Sequence, residues 1–131
     1  MKVKCISEKL NTDQLHILGN NAARKNHFSI SIGKEYTVFG LTSSFGDMGC
    51  GCFVQLLSDY DHLVHIPIVL FEIVDSRLSK YWELKRFADG DIAIWPPSLY
   101  QEYYHDDLSE DVYEVIEDFK LVKAQILHEF D

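Results

Sequence analysis

The sequence predicts an α+β fold in a single domain, residues 1–131: a small, strongly bent antiparallel sheet or SH3-like barrel, closed on one side by a long C-terminal amphipathic helix. Five or six short segments alternate in polarity or are rich in β-branched and aromatic residues, which is typical of strands. From Leu108 to Phe130, apolar residues recur at steps of three and four, as on one face of a helix. A chain of 131 residues with 47% hydrophobic and 25% charged residues has the composition of an ordinary globular domain.

The first elements are short. Lys2–Ile6 alternates apolar and polar residues and predicts a strand. A short helix follows, with Leu15 and Leu18 on its apolar side and Gly19 at its end. Three neighbouring residues could cap the start of this helix: Asn11, Thr12 and Asp13.

The middle of the chain predicts a hairpin. Ile32–Thr42 is a strand in which Tyr36 and Val38 face one side and Phe39 faces the other. Three glycines make Ser43–Gly51 a loop, and Cys52–Ser58 returns as the second strand.

The strands after this hairpin are less regular. A turn at residues 59–61 leads to Ile68–Asp75, which is apolar on both faces except at Glu72 and therefore predicts an interior strand or barrel wall. Tyr81–Phe87 is a further strand or an extended lid. Ile92–Tyr100 begins extended, and its two prolines end any regular structure.

The C-terminal helix is expected to begin near Leu108. Asp107 and Glu110 fit a capping box, and Ser109 is a rival cap. The apolar stripe takes the inward positions, so the carboxylates of this segment must face outward.

The net charge of −9 is unevenly distributed. Residues 1–65 carry six basic and six acidic side chains, whereas residues 66–131 carry six basic and fifteen acidic ones. Nucleic acid and anionic lipid are poor partners for such a surface, because both are bound through basic side chains. A basic protein is the natural partner, and the alternative is that the charge only keeps the chain soluble.

Several kinds of chemistry have weak signals. Cysteines and histidines could form a metal site, but the ligand spacing is not that of a zinc site, and we expect no metal, no cofactor and no disulfide; the residues concerned are Cys5, Cys50, Cys52, His62 and His65. No sequence motif of hydrolases, nucleotide-binding loops or metalloproteases occurs, so we expect a protein that is not an enzyme. The N-terminus lacks the apolar core of a signal peptide, and no apolar run approaches the roughly 20 residues of a membrane span, which predicts a cytoplasmic protein.

The candidate site is a partner-binding surface of acidic and aromatic residues. Carboxylates steer a basic partner, and exposed aromatic rings supply contact area. Two apolar side chains, Phe45 and Met48, add a possible insertion point on the glycine-rich loop. The other predicted partner-binding residues are Glu102, Tyr103, Tyr104, Asp106, Asp107, Glu110, Asp111, Glu114, Glu117 and Asp118.

Three passages also carry a family resemblance. They are IGKEYTVFGL at residues 32–41, IPIVLFEIVDSRLSKYW at residues 66–82, and the acidic C-terminal helix. Together they resemble small bacterial immunity proteins that accompany polymorphic toxins, including those of contact-dependent growth inhibition. The resemblance implies a cytoplasmic, non-catalytic protein that binds and neutralises a cognate toxin domain, often a nuclease, and it supplies no fixed active residues. The alternative function is a general interaction or regulatory domain without a toxin partner.

Overall fold

The computed structural model describes residues 1–18, 28–45 and 50–131. It has an α+β fold with two antiparallel sheets, as the sequence predicts in outline. The strands are β1 Lys2–Cys5, β2 Glu35–Thr37, β3 Gly40–Ser44, β4 Gly51–Leu57, β5 Leu63–Pro67, β6 Phe71–Asp75, β7 Glu83–Arg86 and β8 Ile92–Trp95. The helices are α1 Thr12–Leu18, α2 Tyr104–Ser109 and α3 Tyr113–His128, with single 3₁₀ turns at Ile68–Leu70 and Pro97–Tyr100.

The strands form a three-stranded sheet in the order β2-β1-β6 and a five-stranded sheet in the order β5-β4-β3-β8-β7. We call these sheet A and sheet B. All of their strand pairs are antiparallel. Within the described residues neither sheet closes on itself, so the predicted SH3-like barrel is replaced by two open sheets.

The predicted strand Ile32–Thr42 is divided between the two sheets. Its first part is β2 in sheet A and its last part is β3 in sheet B. The chain crosses between the sheets at Val38, whose N–H donates to Met1 O at 3.0 Å, and at Phe39, whose N–H donates to Gln55 O at 2.7 Å. Because the crossing is extended, side chains keep alternating: Tyr36 and Val38 enter one core and Phe39 enters another.

Sheet B therefore has a hydrophobic core on each side. The first core contains side chains from both sheets and from α1, among them Val3, Leu18 and Val54. The second core lies between sheet B and the C-terminal helices; its buried members are Phe39, Leu99, Tyr104, Phe119, Val122 and Ile126. Helices α2 and α3 are thus positioned by one face of sheet B.

The expected interior strand Ile68–Asp75 is instead the edge strand β6, preceded by the 3₁₀ turn Ile68–Leu70. Its ladder is with β1, where the register shifts beside Val74. Ile73 is 51% exposed, although Val3, its partner on β1, is fully buried. The prediction was wrong because apolar content on both faces does not distinguish a central strand from an apolar edge.

The single C-terminal helix is also corrected. It is interrupted between α2 and α3, where Asp111 adopts a left-handed conformation with φ of 59°. Asp107 lies inside α2 rather than at a helix start, and Val112 precedes α3 without a side-chain cap, so the predicted capping box is absent. Ser109 does not cap a helix either, because its Oγ donates to Asp106 O at 2.7 Å. Aspartate is one of the few non-glycine residues that enter the left-handed region readily, which suits it to the break.

Two smaller predictions are confirmed. The hairpin of β3 and β4 forms, although residues 46–49 of its tip lie outside the described residues. Helix α1 has Asn11 as its cap: Asn11 Oδ1 accepts a hydrogen bond from Gln14 N at 2.8 Å, and Gln14 Oε1 accepts one from Asn11 N at 2.9 Å. The predicted stop at Gly19 also falls outside the described residues.

Among the helices of the described ranges, none has the length and apolar character that a membrane crossing requires.

Candidate functional site

The C-terminal helices display a continuous run of carboxylates, which we call the acidic surface. Buried side chains of α2 and α3 face the second core, and the carboxylates between and beside them are exposed or half-buried. Because the helix is broken before Tyr113, Glu114 and Asp118 are the one pair of acidic residues at i,i+4 spacing within α3. Repulsion between these two carboxylates costs a few tenths of a kcal/mol. The acidic surface consists of Glu102, Asp106, Asp107, Glu110, Asp111, Glu114, Glu117 and Asp118.

Most of these carboxylates lack a cationic partner. Within the described part of the chain, the acidic surface makes one ion pair, between Glu117 and Lys120 at 2.8 Å. Asp118 accepts a hydrogen bond from the Tyr104 hydroxyl at 2.7 Å. The other six form no ion pair with any described lysine, arginine or histidine, so their charge remains directed at solvent.

The two predicted tyrosines have different positions. Tyr103 is exposed and has a φ of 62°, an unusual backbone conformation for an aromatic residue. Tyr104 is only 2% exposed, because its ring fills the second core. Burial, together with the nearby Asp118 carboxylate, raises the pKa of Tyr104, which keeps its hydroxyl a hydrogen-bond donor. Tyr104 therefore holds α2 against the second core, beneath the acidic surface. Of these two tyrosines, only Tyr103 is exposed for contact with a partner.

A polar cluster beneath α2 was not predicted from the sequence. His105 Nε2 lies 2.9 Å from Oε1 of Gln55, a fully buried residue in the middle of β4. The His105 ring also lies 5.4 Å from the ring of His65 and 5.3 Å from that of Trp95, measured between centroids. The cluster fixes α2 to sheet B, and its sequence signal is a glutamine at an otherwise apolar strand position.

Trp95 and Tyr100 fix the chain just before the acidic surface. Their rings stack with centroids 4.8 Å apart, and Trp95 Nε1 donates to Thr42 Oγ1 at 2.9 Å. The Tyr100 hydroxyl accepts a hydrogen bond from Trp95 N at 3.2 Å and lies 2.6 Å from Glu83 O, to which it donates. These bonds connect β7, β8 and the turn that precedes α2.

The burial of His105 makes stability depend on pH. Burial lowers the pKa of His105, and the charge of Asp106 opposes this shift only partly. The unfolded chain then binds the proton more readily, so the free energy of unfolding should fall as the pH drops below about 6.5, until the pH reaches the lower pKa of the folded state. Urea denaturation between pH 5 and 8 measures this slope, and His105→Gln should make it shallower. An unchanged slope in the variant would show that other titratable groups produce it.

The structure does not bring Phe45 together with the acidic surface. Gly40 begins β3 and is paired with Gln55, which contacts His105 of α2. Phe45 is exposed and follows the other end of β3, about 17 Å from Gly40 along the strand. Asp91 holds the backbone there, accepting hydrogen bonds from Phe45 N at 3.0 Å and Ser44 Oγ at 3.1 Å. Met48 lies outside the described residues.

The candidate metal ligands do not form a cluster in the described residues, and nearby Asp59 is held by structural hydrogen bonds. Across the described ranges, no three histidine, cysteine or acidic side chains are grouped as metal ligands. The three cysteines are free, and burial raises the pKa of the Cys5 and Cys52 thiols. Asp59 accepts hydrogen bonds from Ser31 Oγ at 2.6 Å, Lys34 Nζ at 2.7 Å and Tyr36 OH at 2.8 Å. Lys34 makes the largest contribution to lowering the pKa of Asp59 to about 2, as expected of a structural carboxylate that anchors a turn.

Comparison with other proteins adds no assignment. No family model, curated protein or solved structure matches this chain. The functional argument therefore depends on the chemistry of the acidic surface and its supports.

Proposed function

We propose that the chain is a cytoplasmic immunity protein without catalytic activity, which binds and neutralises a basic, nuclease-type toxin domain through the acidic surface. The observation that carries the proposal is the set of six carboxylates with no ion pair to a described cationic side chain. Elsewhere in the molecule, Asp59 pairs with Lys34 at 2.7 Å and Asp75 pairs with Arg77 at 2.6 Å. Other described carboxylates, such as Glu8 and Glu35, also form no ion pair. The acidic surface differs from them because residues 102–118 bring together eight carboxylates and contain no lysine or arginine.

A nuclease domain is a suitable partner on physical grounds. It must bind phosphates, so its active-site cleft is expected to be rich in lysine and arginine. Carboxylates that cover such a cleft compete with the nucleic acid for the same cations. Complementary charge also accelerates encounter, by about tenfold or more over neutral association at low salt.

Tyr103 adds a contact of a second kind. Its ring is exposed beside the carboxylates of α2, and aromatic side chains often provide much of the binding energy in protein interfaces. The strained backbone of Tyr103 supports the same interpretation, because unusual backbone conformations cluster at functional positions. Charge would then guide the partner, and Tyr103 would anchor it.

The test is a binding measurement with the protein encoded beside this chain in its genome. The variant combines Asp106→Lys, Glu110→Lys and Glu114→Lys, three carboxylates that are exposed and form no ion pair among the described residues. If the acidic surface is the interface, the association rate at low salt should fall by about ten- to a hundredfold, and protection of cells against the toxin should be lost.

A matched control has the same change in net charge at a different place. Glu8→Lys, Asp13→Lys and Glu35→Lys alter exposed carboxylates of the first half of the chain. This control should bind nearly as fast as the wild type, after allowance for the smaller overall charge. Equal loss in both variants would show that net charge matters rather than the acidic surface, and unchanged binding in the first variant would contradict the proposed interface.

The alternative is a regulatory domain that binds a basic protein other than a toxin. The acidic surface would serve either partner, because its charge does not specify the partner's activity. The two proposals differ in one outcome. Only an immunity protein restores growth to cells that express the neighbouring gene product.

A further inference from the structure

Among the described residues, the outer strands of the two sheets differ in how well they resist pairing with another strand. Proteins usually protect such edges with charged residues, proline or short strands. In β7 all four residues are exposed and three are charged. Strand β5 ends in Pro67, and β2 has only three residues. Strand β6 has five residues, and its exposed centre consists of one charged residue, Glu72, followed by the β-branched pair Ile73 and Val74.

The exposed apolar surface continues beyond β6. Ile6 and Val69 are also exposed. They lie close together, because Ile6 N donates a hydrogen bond to the carbonyl of Leu70, the residue after Val69, at 2.9 Å. We call Ile6, Val69, Ile73 and Val74 the apolar edge. An exposed group of apolar side chains on a strand edge is typical of a site of association.

Charge favours a second copy of the chain as the occupant. Two copies with a net charge of −9 repel each other, mostly through their C-terminal halves. Around the apolar edge the charges are nearly balanced: Glu72 lies opposite Lys4 on β1, and Asp75 pairs with Arg77 at 2.6 Å. The C-terminal end of α3 lies beside sheet A, where Ile126 lines a pocket together with Lys2 and Asp75. The carboxylates of the acidic surface instead belong to α2, its flanking residues and the first half of α3. An approach through the apolar edge therefore brings two copies together with the least repulsion.

We propose that the apolar edge is a homodimer interface, in which the β6 strands of two copies pair antiparallel about a two-fold axis at Ile73. The two three-stranded sheets A would then form one continuous six-stranded sheet. In this register the two Ile73 residues lie opposite each other, and Glu72 of each chain lies opposite Val74 of the other. No two carboxylates on β6 are therefore directly opposite. Backbone hydrogen bonds along β6 and burial of the apolar edge stabilise the dimer.

Sedimentation analysis of the purified full chain, from micromolar to near-millimolar concentration, tests this interface. The wild type should change from monomer to dimer with concentration. Ile73→Lys should weaken the dimer by at least about tenfold, because the new lysines would face each other across the axis. The matched control is Leu84→Lys on β7, where the leucine is 68% exposed and its replacement should leave dimerisation unchanged.

Other outcomes would overturn the proposal. They are a wild type that stays monomeric throughout, an Ile73→Lys variant that dimerises as tightly as the wild type, and a dimer that Leu84→Lys abolishes. Circular dichroism verifies that each variant is folded. If Ile73→Lys does not fold, Val69→Lys tests the same surface from outside β6, in the adjoining 3₁₀ turn. The inference is independent of the proposed function, because the apolar edge does not include the acidic surface.

Discussion

Replacing Phe39 with alanine is expected to lower the free energy of unfolding by about 3–5 kcal/mol, the usual range for a large aromatic residue removed from a core. Phe39 is 1% exposed and stands where the chain passes from sheet A to sheet B. Its ring lies 5.7 Å from that of Phe119, measured between centroids, so it joins sheet B to α3. The substitution would leave a cavity between the sheet and the helix that carries much of the acidic surface.

Equilibrium denaturation in urea measures the effect, with Phe45→Ala as the matched control. Phe45 is the same residue type but is 68% exposed, so its removal should change the free energy of unfolding by less than about 0.5 kcal/mol. Similar losses in both variants would contradict the assignment of Phe39 to the second core. Under the proposed function, the Phe39 variant should also bind its protein partner more weakly, because α3 is held less firmly against sheet B.

The alternation of side chains could be predicted from the sequence around Phe39, but the division of the strand could not. Tyr36, Val38 and Phe39 alternate as in any strand, and they do face two different cores. Alternation reports which side of the backbone a residue occupies and contains no information about which neighbouring strand it pairs with. The change from one sheet to the other depends on distant partners: Val3 opposite Tyr36, and Gln55 opposite Gly40.

The same limit applies to the C-terminal helices. The apolar period from Leu108 to Phe130 predicted helical structure correctly but spanned a break that the period does not reveal. Tyr104 was predicted as a surface residue because the stripe was counted from Leu108, and the separate helix α2 directs its ring into the second core. Local pattern predicted that the carboxylates face outward, whereas tertiary packing determines that Tyr103 is exposed and Tyr104 is buried.

The supports of the acidic surface are the least predictable part of the site. His105 and Gln55 are fifty positions apart and meet only because α2 lies across β4. A glutamine within a strand is unremarkable in a sequence, since most glutamines are exposed. Its burial becomes informative once a partner is seen, because a buried amide needs hydrogen bonds. Fold class and charge distribution thus follow from local pattern. The number of strands does not, because five or six were predicted and the described residues form eight, and the polar contacts that position the site do not either.

Gly40→Ala is expected to lower the free energy of unfolding by about 1–3 kcal/mol, the usual cost of overpacking a filled core. A Cβ at this position would lie 2.7 Å from Trp95 Cδ1 and 3.1 Å from the carbonyl oxygen of Ile94. Trp95 cannot move away easily, because Thr42 accepts its indole hydrogen bond and Tyr100 stacks on its ring. The substitution should therefore disturb the chain just before the acidic surface as well as the strand itself.

The cause can be isolated by repeating Gly40→Ala in a Trp95→Leu background, which removes the ring atom that the new methyl group meets. The cost of Gly40→Ala should then be smaller, and the difference is the coupling energy between the two positions. Gly33→Ala is the matched control: a Cβ there meets nothing within 4 Å, and its cost, about 1–2 kcal/mol, comes from a φ of +86°. That cost should be equal in both backgrounds, because Gly33 is strained by its own backbone rather than by Trp95. If Gly40→Ala also costs the same in both, the close approach to Trp95 is not what requires glycine in β3.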